Sequence, residues 1–261
     1  MNFQEPLVQY LFVIFLSSLR FLGMTIASPA FSPPSYPVPL KFLLVLLLSL
    51  IVAPMLNVSD LNTLFESNII LLILAAVREF FIGIGIGFLA SLPLYAFQVA
   101  GGFLGIQMGL GMVNIMDPFS EAQVSILGQL KFMLALWFYL RWNGHLLLFQ
   151  SLVQSFKLLP LGVWKWSWAI DPGFGKWLAQ VFYLALKISL PFAGAMVLAD
   201  IGLGFVARTV PQMNVFVLGF SLKILLGMLI LMFMVPLLVD ILQAEIGKAI
   251  VFGLEGVLIW R

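Results

Sequence analysis

Cysteine is absent from this 261-residue chain, histidine occurs once, and Asp, Glu, Lys and Arg together supply only 9% of the residues. Without cysteine there is no disulfide framework and no thiol nucleophile. His145 alone cannot build a histidine-rich metal centre. A globular chain carries roughly 25% charged residues, so a water-facing surface of ordinary charge density cannot be assembled here. The net charge of +2 is too small and too scattered for nucleic acid. No serine-nucleophile motif, metal-ligand spacing or acidic dyad occurs: Asp117, Asp200 and Asp240 stand in unlike contexts. Nothing in the sequence asks for a catalytic site, a metal or a cofactor.

What the chain has instead is apolar mass. Hydrophobic residues make up 62% of it, and 261 residues distribute naturally into spanning segments of about 20 residues each. Apolar stretches fall near 7–28, 40–56, 68–98, 124–159 (broken at Asn143-Gly144), 177–207 and 212–243. The expected fold is all-α, with about six long and partly broken helices in one membrane-type unit. The first stretch has no basic residue ahead of it and an arginine inside it, so it reads as a first helix rather than a cleaved signal. The breaks are legible. SPAFSPPSYPVP (28–39) cannot propagate a helix, because proline lacks the donor and clashes with the preceding turn. NVSDLNTLFES (57–67) supplies turn and capping residues. WKWSWAIDPGFGKW (164–177) interleaves tryptophan with lysine as an interfacial loop does.

Charges sit in the wrong places for lipid. Arg20, Arg78-Glu79, Lys131, Lys187, Asp200, Lys223 and Asp240 all lie among apolar neighbours, where a central Arg, Lys or Asp costs about 2.5–3.5 kcal/mol on insertion scales. Either they pair or snorkel within one bundle, or the helices pack against other protein in a larger assembly. Asp200 and Arg208 lie two helical turns apart and share a face only if the helix runs straight past Gly202 and Gly204. Adjacent Arg78 and Glu79 point in different directions and need separate partners.

Glycine marks two further places. Gly83, Gly85 and Gly87 crowd one apolar stretch, and Gly101, Gly105 and Gly109 recur at steps of four. Such residues let helices approach closely. Gly109 and Gly111 suit glycine's other use, conformational permission. They open the segment Gly109, Leu110, Gly111, Met112, Val113, Asn114, Ile115 and Met116, which Asp117-Pro118 ends. It is too apolar for a solvated loop and too glycine-rich to be read as an ordinary helix.

REFFIGIGIGF (78–88), AGGFLGIQMGLGMVNIMDPFSEAQVSILGQ (100–129), NGHLLLFQSLVQSFKLLP (143–160) and above all DIGLGFVARTVPQMNVFVLGFSLKI (200–224) resemble the FliR family of flagellar export-gate proteins. The PQMNVF block following an arginine is the most specific piece. The resemblance implies a subunit with an N-terminal FliP-like part and a C-terminal FliQ-like part, built of helical hairpins. It implies a place in the bacterial inner membrane at the flagellar basal body. Its partners would be FliP, FliQ and FlhB homologues, membrane lipid, and the unfolded flagellar proteins that pass through. It implies no enzymatic role. Gly109 to Met116 corresponds to the family segment that closes the pore, with Asp117 and Pro118 as its anchor. Arg78, Glu79, Gly101, Gly105, Asp200, Arg208, Pro211 and Asn214 are expected at assembly contacts. A proton-coupled secondary transporter using Asp200 and Lys187 is the rival reading, since such proteins also combine broken helices with buried ionisable groups.

Overall fold

The computed structural model describes residues 6–32, 37–56, 69–110, 125–161, 173–209 and 215–258. All regular structure among them is helical: α1 (Pro6–Ala27), α2 (Val38–Val52) continued by a 3₁₀ turn (Ala53–Met55), α3 (Ile69–Gln107), α4 (Ile126–Arg141), α5 (Gly144–Leu158), α6 (Gly173–Thr209) and α7 (Val215–Leu258). Among the described residues five segments are long and apolar enough to cross a bilayer: Leu7–Ala27, Val38–Met55, Ile69–Gln107, Ala179–Thr209 and Val217–Lys248. The apolar stretch around 124–159 is not one of them. It is two shorter helices, interrupted at Trp142-Asn143 where Asn143 takes a left-handed φ of 57°. The small, polar side chain of asparagine tolerates that conformation better than most.

Three helix limits differ from the sequence expectation. α3 continues through Pro93 and through Gly101-Gly102 to Gln107. α6 begins at Gly173, inside the tryptophan-rich stretch expected to be a loop, directly after Pro172. α7 runs to Leu258, well past the end of its apolar run.

The chain forms two compact units: Met1–Leu92 with Tyr139–Phe174 and Ile246–Arg261, and Pro93–Phe138 with Gly175–Glu245. In the first unit α1 and α3 run parallel, because their contacts advance together along both helices. A Cβ on Gly83 would meet the Arg20 carbonyl oxygen, and one on Gly87 would lie 2.7 Å from Met24 O. A Cβ on Gly23 would meet Phe80 O. Gly85, on the opposite face, has nothing near it. Spacing of four thus separates the packing glycines from the idle one. The core of this unit joins Leu16, Phe21 and Met24 of α1 to Ile82 and Ile86 of α3 and Leu148 and Leu152 of α5.

In the second unit α3 and α4 are antiparallel. A Cβ on Gly101 would lie 2.6 Å from both Gly128 Cα and Leu127 O, and one on Gly105 would lie 2.7 Å from Ser125 Oγ. Further along the pair, Tyr95 stacks on Phe132 with ring centroids 6.1 Å apart. α6 and α7 also run back against each other. Asp200 meets Lys223, and Leu203, three residues on in α6, meets Gly219, four residues back in α7.

Candidate functional site

α3 stops because its end is capped, although the chain beyond it stays apolar. Gly109 N–H donates to Ile106 O at 3.0 Å and Leu110 N–H donates to Gly105 O at 2.9 Å. These are the 5→2 and 6→1 bonds of a Schellman cap, which needs a left-handed residue after the helix. Gly109 supplies it with φ of 80°. A side chain there would be strained by the backbone and would press on the Phe220 ring of α7, whose Cδ2 lies 3.2 Å from the Cβ position. Leu110 turns inward onto the cluster of Leu104, Met108, Leu127, Phe192 and Met196. The beginning of the glycine-rich segment is therefore a built turn against α7. Residues 111–118, including Gly111, Met112, Val113, Asn114, Ile115, Met116, Asp117 and Pro118, lie outside the described residues, as do Pro211 and Asn214.

The mid-helix charges resolve into different environments. Arg20 and Glu79 are both fully buried and paired, with Arg20 Nε donating to Glu79 Oε2 at 2.6 Å. Arg20 also donates to Ser155 Oγ and to Leu159 O of the α5 end, each at 3.0 Å. Its guanidinium lies 4.1 Å from the centre of the Phe156 ring. Glu79, expected at an assembly contact, thus has its partner inside the chain. Arg78 is also buried.

Asp200 pairs with Lys223 at 2.5 Å in a half-exposed position, with side-chain exposures of 48% and 24%. Lys187 and Arg208 are exposed. The helix does run on through Gly202 and Gly204, yet the observed partner of Asp200 is on α7. Among the described residues Asp200 is paired with Lys223 and not with Lys187. His145 is the second residue of α5. No group of three or more His, Cys, Asp or Glu able to hold a metal occurs among the described residues.

Lys131 differs from the other cations. It is only 3% exposed, on the α4 face that packs on α3. No hydrogen-bond or ion-pair partner stands with it among the described residues. Burial pushes its ammonium down to about 8.

The sequence has known relatives. Residues 11–249 match the bacterial export proteins, family 1. The chain is 30% identical to the flagellar biosynthetic protein FliR of Escherichia coli K12 over 90% of its own length and 88% of that protein's. The chain belongs to the FliR family. It is 36% identical to the FliR of Bacillus subtilis 168 over 60% of this chain and 62% of that one. It is also 32% identical to the secretion system apparatus protein SsaT of Salmonella typhimurium LT2, over 60% of this chain and 61% of that protein. Family membership and five candidate spans make it a multi-pass protein of the bacterial inner membrane and a component of a type III export apparatus.

The sequence pattern alone does not disclose the roles of Arg20, Phe220 and Gly227. Arg20 carries a signal, a positive charge at mid-helix with a negative one at mid-helix elsewhere. Phe220 and Gly227 carry none, being one aromatic and one glycine in an apolar run.

Proposed function

We propose that this chain is a subunit of the flagellar type III export gate, and that its segment from Gly109 to Met116 seals the conduit through which unfolded flagellar proteins leave the cell. The observation that carries the reading is the left-handed cap at Gly109. A hydrogen-bonded turn stops α3 there, and the sequence continues in an apolar run rich in Leu, Met and Ile. An apolar constriction excludes water and with it ions. A passage wide enough for a polypeptide needs such a stopper, because each charge leaking across 100 mV dissipates about 2.3 kcal/mol. In the sequence the segment ends at Asp117-Pro118, which the resemblance makes its anchor.

The partners are inferred from the resemblance and from surface chemistry. FliP and FliQ homologues would cover the apolar faces, an FlhB homologue would dock on the assembly, and the chain would combine an N-terminal FliP-like and a C-terminal FliQ-like part. On α7, Phe233 and Met232 are 81% and 73% exposed, a surface suited to lipid or to a neighbouring helix. Gly101 and Gly105 are engaged with α4 within the chain, so assembly contacts fall to exposed groups such as Arg208.

Deleting Leu110 to Ile115 tests the seal. The complex is expected to assemble, to leak ions in a conductance or dye-flux assay, and to retain part of its secretion. An assembled deletion complex as ion-tight as the parent sinks the proposal.

A further inference from the structure

Met108 occupies the cap position between α3 and the left-handed Gly109, and it is wholly out of solvent. Its side chain lies across α7 at Gly227. A Cβ built on Gly227 would stand 2.6 Å from Met108 Cε, 2.7 Å from Sδ and 2.8 Å from Cγ. The thioether therefore fills the space that any other residue at 227 would claim. Seven residues earlier on α7, two helical turns away and so on the same face, the Phe220 ring rests against Gly109. Two successive residues of the cap are thus seated on one stripe of α7.

We infer that Met108 and Gly227 form a latch that ties the start of the glycine-rich segment to α7, so that a shift of α7 against the end of α3 releases it. The inference rests on the reading of that segment as the seal. The contact has the properties of a releasable one. It is an apolar, non-directional contact within a hydrophobic cluster, and its grip is the sum of small dispersion terms, of which a gap of about 0.5–1 Å forfeits roughly a quarter to a half. Methionine is unbranched, with three rotatable bonds, so it leaves a notch without moving its backbone. Gly109 beside it already occupies the conformation that lets a chain turn. α7 is also the helix with the most exposed apolar side chains near this point, Leu225, Met232 and Phe233 among them, so a neighbour seated there acts on the same element that holds the latch. Met108 and Gly227 are positioning residues in this account, and they need not touch cargo.

The absence of cysteine from the chain makes the test clean. Met108→Cys with Gly227→Cys is introduced into the assembled apparatus in cells. Oxidation is expected to join the two positions within one chain and to stop secretion of flagellar subunits, and reductant to restore it. Each single-cysteine variant is expected to secrete alike with and without oxidant. Where the pair accumulates poorly, Met108→Cys alone is titrated with a maleimide in a Gly227 and in a Gly227→Ala background. The alanine is expected to raise its labelling rate about tenfold or more by filling the notch. A joined pair that secretes undiminished overturns the latch, as does a pair that never joins together with labelling unchanged by Gly227→Ala. The seal itself is judged apart, by the ion leak of the Leu110 to Ile115 deletion: a leaky deletion beside a freely secreting joined pair removes the latch and leaves the seal.

Discussion

Arg20 of α1 and Glu79 of α3, 59 residues apart, share a hydrogen bond of 2.6 Å with both side chains wholly out of solvent. The same guanidinium reaches Ser155 and the carbonyl of Leu159. One side chain therefore ties together α1, α3 and the end of α5. Its planar fork of five donors is what allows it. An arginine buried alone in α1 would be costly, so α1 is fully stable only once α3 has delivered its carboxylate.

Removing one partner should accordingly be far worse than removing both. Glu79→Ala leaves a buried unpaired guanidinium and is expected to cost about 3–5 kcal/mol, read as lost accumulation and a lower melting temperature of the purified complex. Arg20→Met with Glu79→Met replaces the pair by apolar bulk and is expected to recover most of that loss. A double variant no better than the single one would show that the charges serve something besides packing.

Gly83 and Gly85 give a matched pair of tests. Alanine at 83 drives a methyl into the Arg20 carbonyl, whereas alanine at 85 meets nothing. Gly83→Ala is expected to separate α1 from α3 and to lower accumulation severalfold. Gly85→Ala is expected to be neutral or to stabilise slightly, since glycine inside a helix costs roughly 0.5–1 kcal/mol relative to alanine. Equal behaviour of the two in membrane-fraction immunoblots would contradict the parallel α1–α3 contact.

Part of this architecture is legible in the sequence and part is not. Composition and run length suffice for an all-helical membrane-type chain, and Asn143-Gly144 announces its own break. Gly101 to Gln107 misleads because glycine's helix penalty is a local quantity, outweighed here by close approach to Gly128. α7 outlasts its apolar run because hydropathy marks the end of an apolar stretch and not of a helix, and Gln243, Glu245 and Lys248 remain good helix formers. A step of four puts Gly83 and Gly87 on one face and Gly85 on the other. Which face meets α1 is a tertiary fact. The same holds for Arg20, whose choice of Glu79 is a long-range pairing that no window of sequence contains.

Lys131 should make stability depend on pH. Its ammonium is held at about 8 in the folded chain against 10.5 unperturbed. Below about pH 8 both states are protonated and the folded state bears the whole cost of a buried charge, on the order of 3 kcal/mol. Between 8 and 10.5 the unfolded state binds more protons than the folded one, so stability rises with pH across that window. Lys131→Met removes the charge and keeps much of the bulk. It is expected to be more stable than the parent at about pH 7, with the gap closing as pH approaches 10.5. A gap of constant size in detergent melts from about pH 7 to 10.5 would mean that the amine is solvated.

Gly109 closes α3 in a conformation that penalises a side chain twice, once in the backbone and once against Phe220. The left-handed region costs a non-glycine residue roughly 1–2 kcal/mol, and the Phe220 ring edge lies 3.2–3.3 Å from the Cβ position. Asparagine tolerates the left-handed region better than alanine, and a β-branched residue tolerates it least. The expected order of damage is therefore Gly109→Asn least, then Gly109→Ala, then Gly109→Val. If the glycine matters through backbone conformation, this order should appear in ion leak and in secretion while the amount of assembled complex changes less. If it matters only as space beneath Phe220, the larger asparagine should be worse than alanine, and Phe220→Ala should rescue both. Motility halos scored beside a dye-flux assay distinguish the two orders, and an asparagine variant more defective than alanine would remove the left-handed turn from the mechanism.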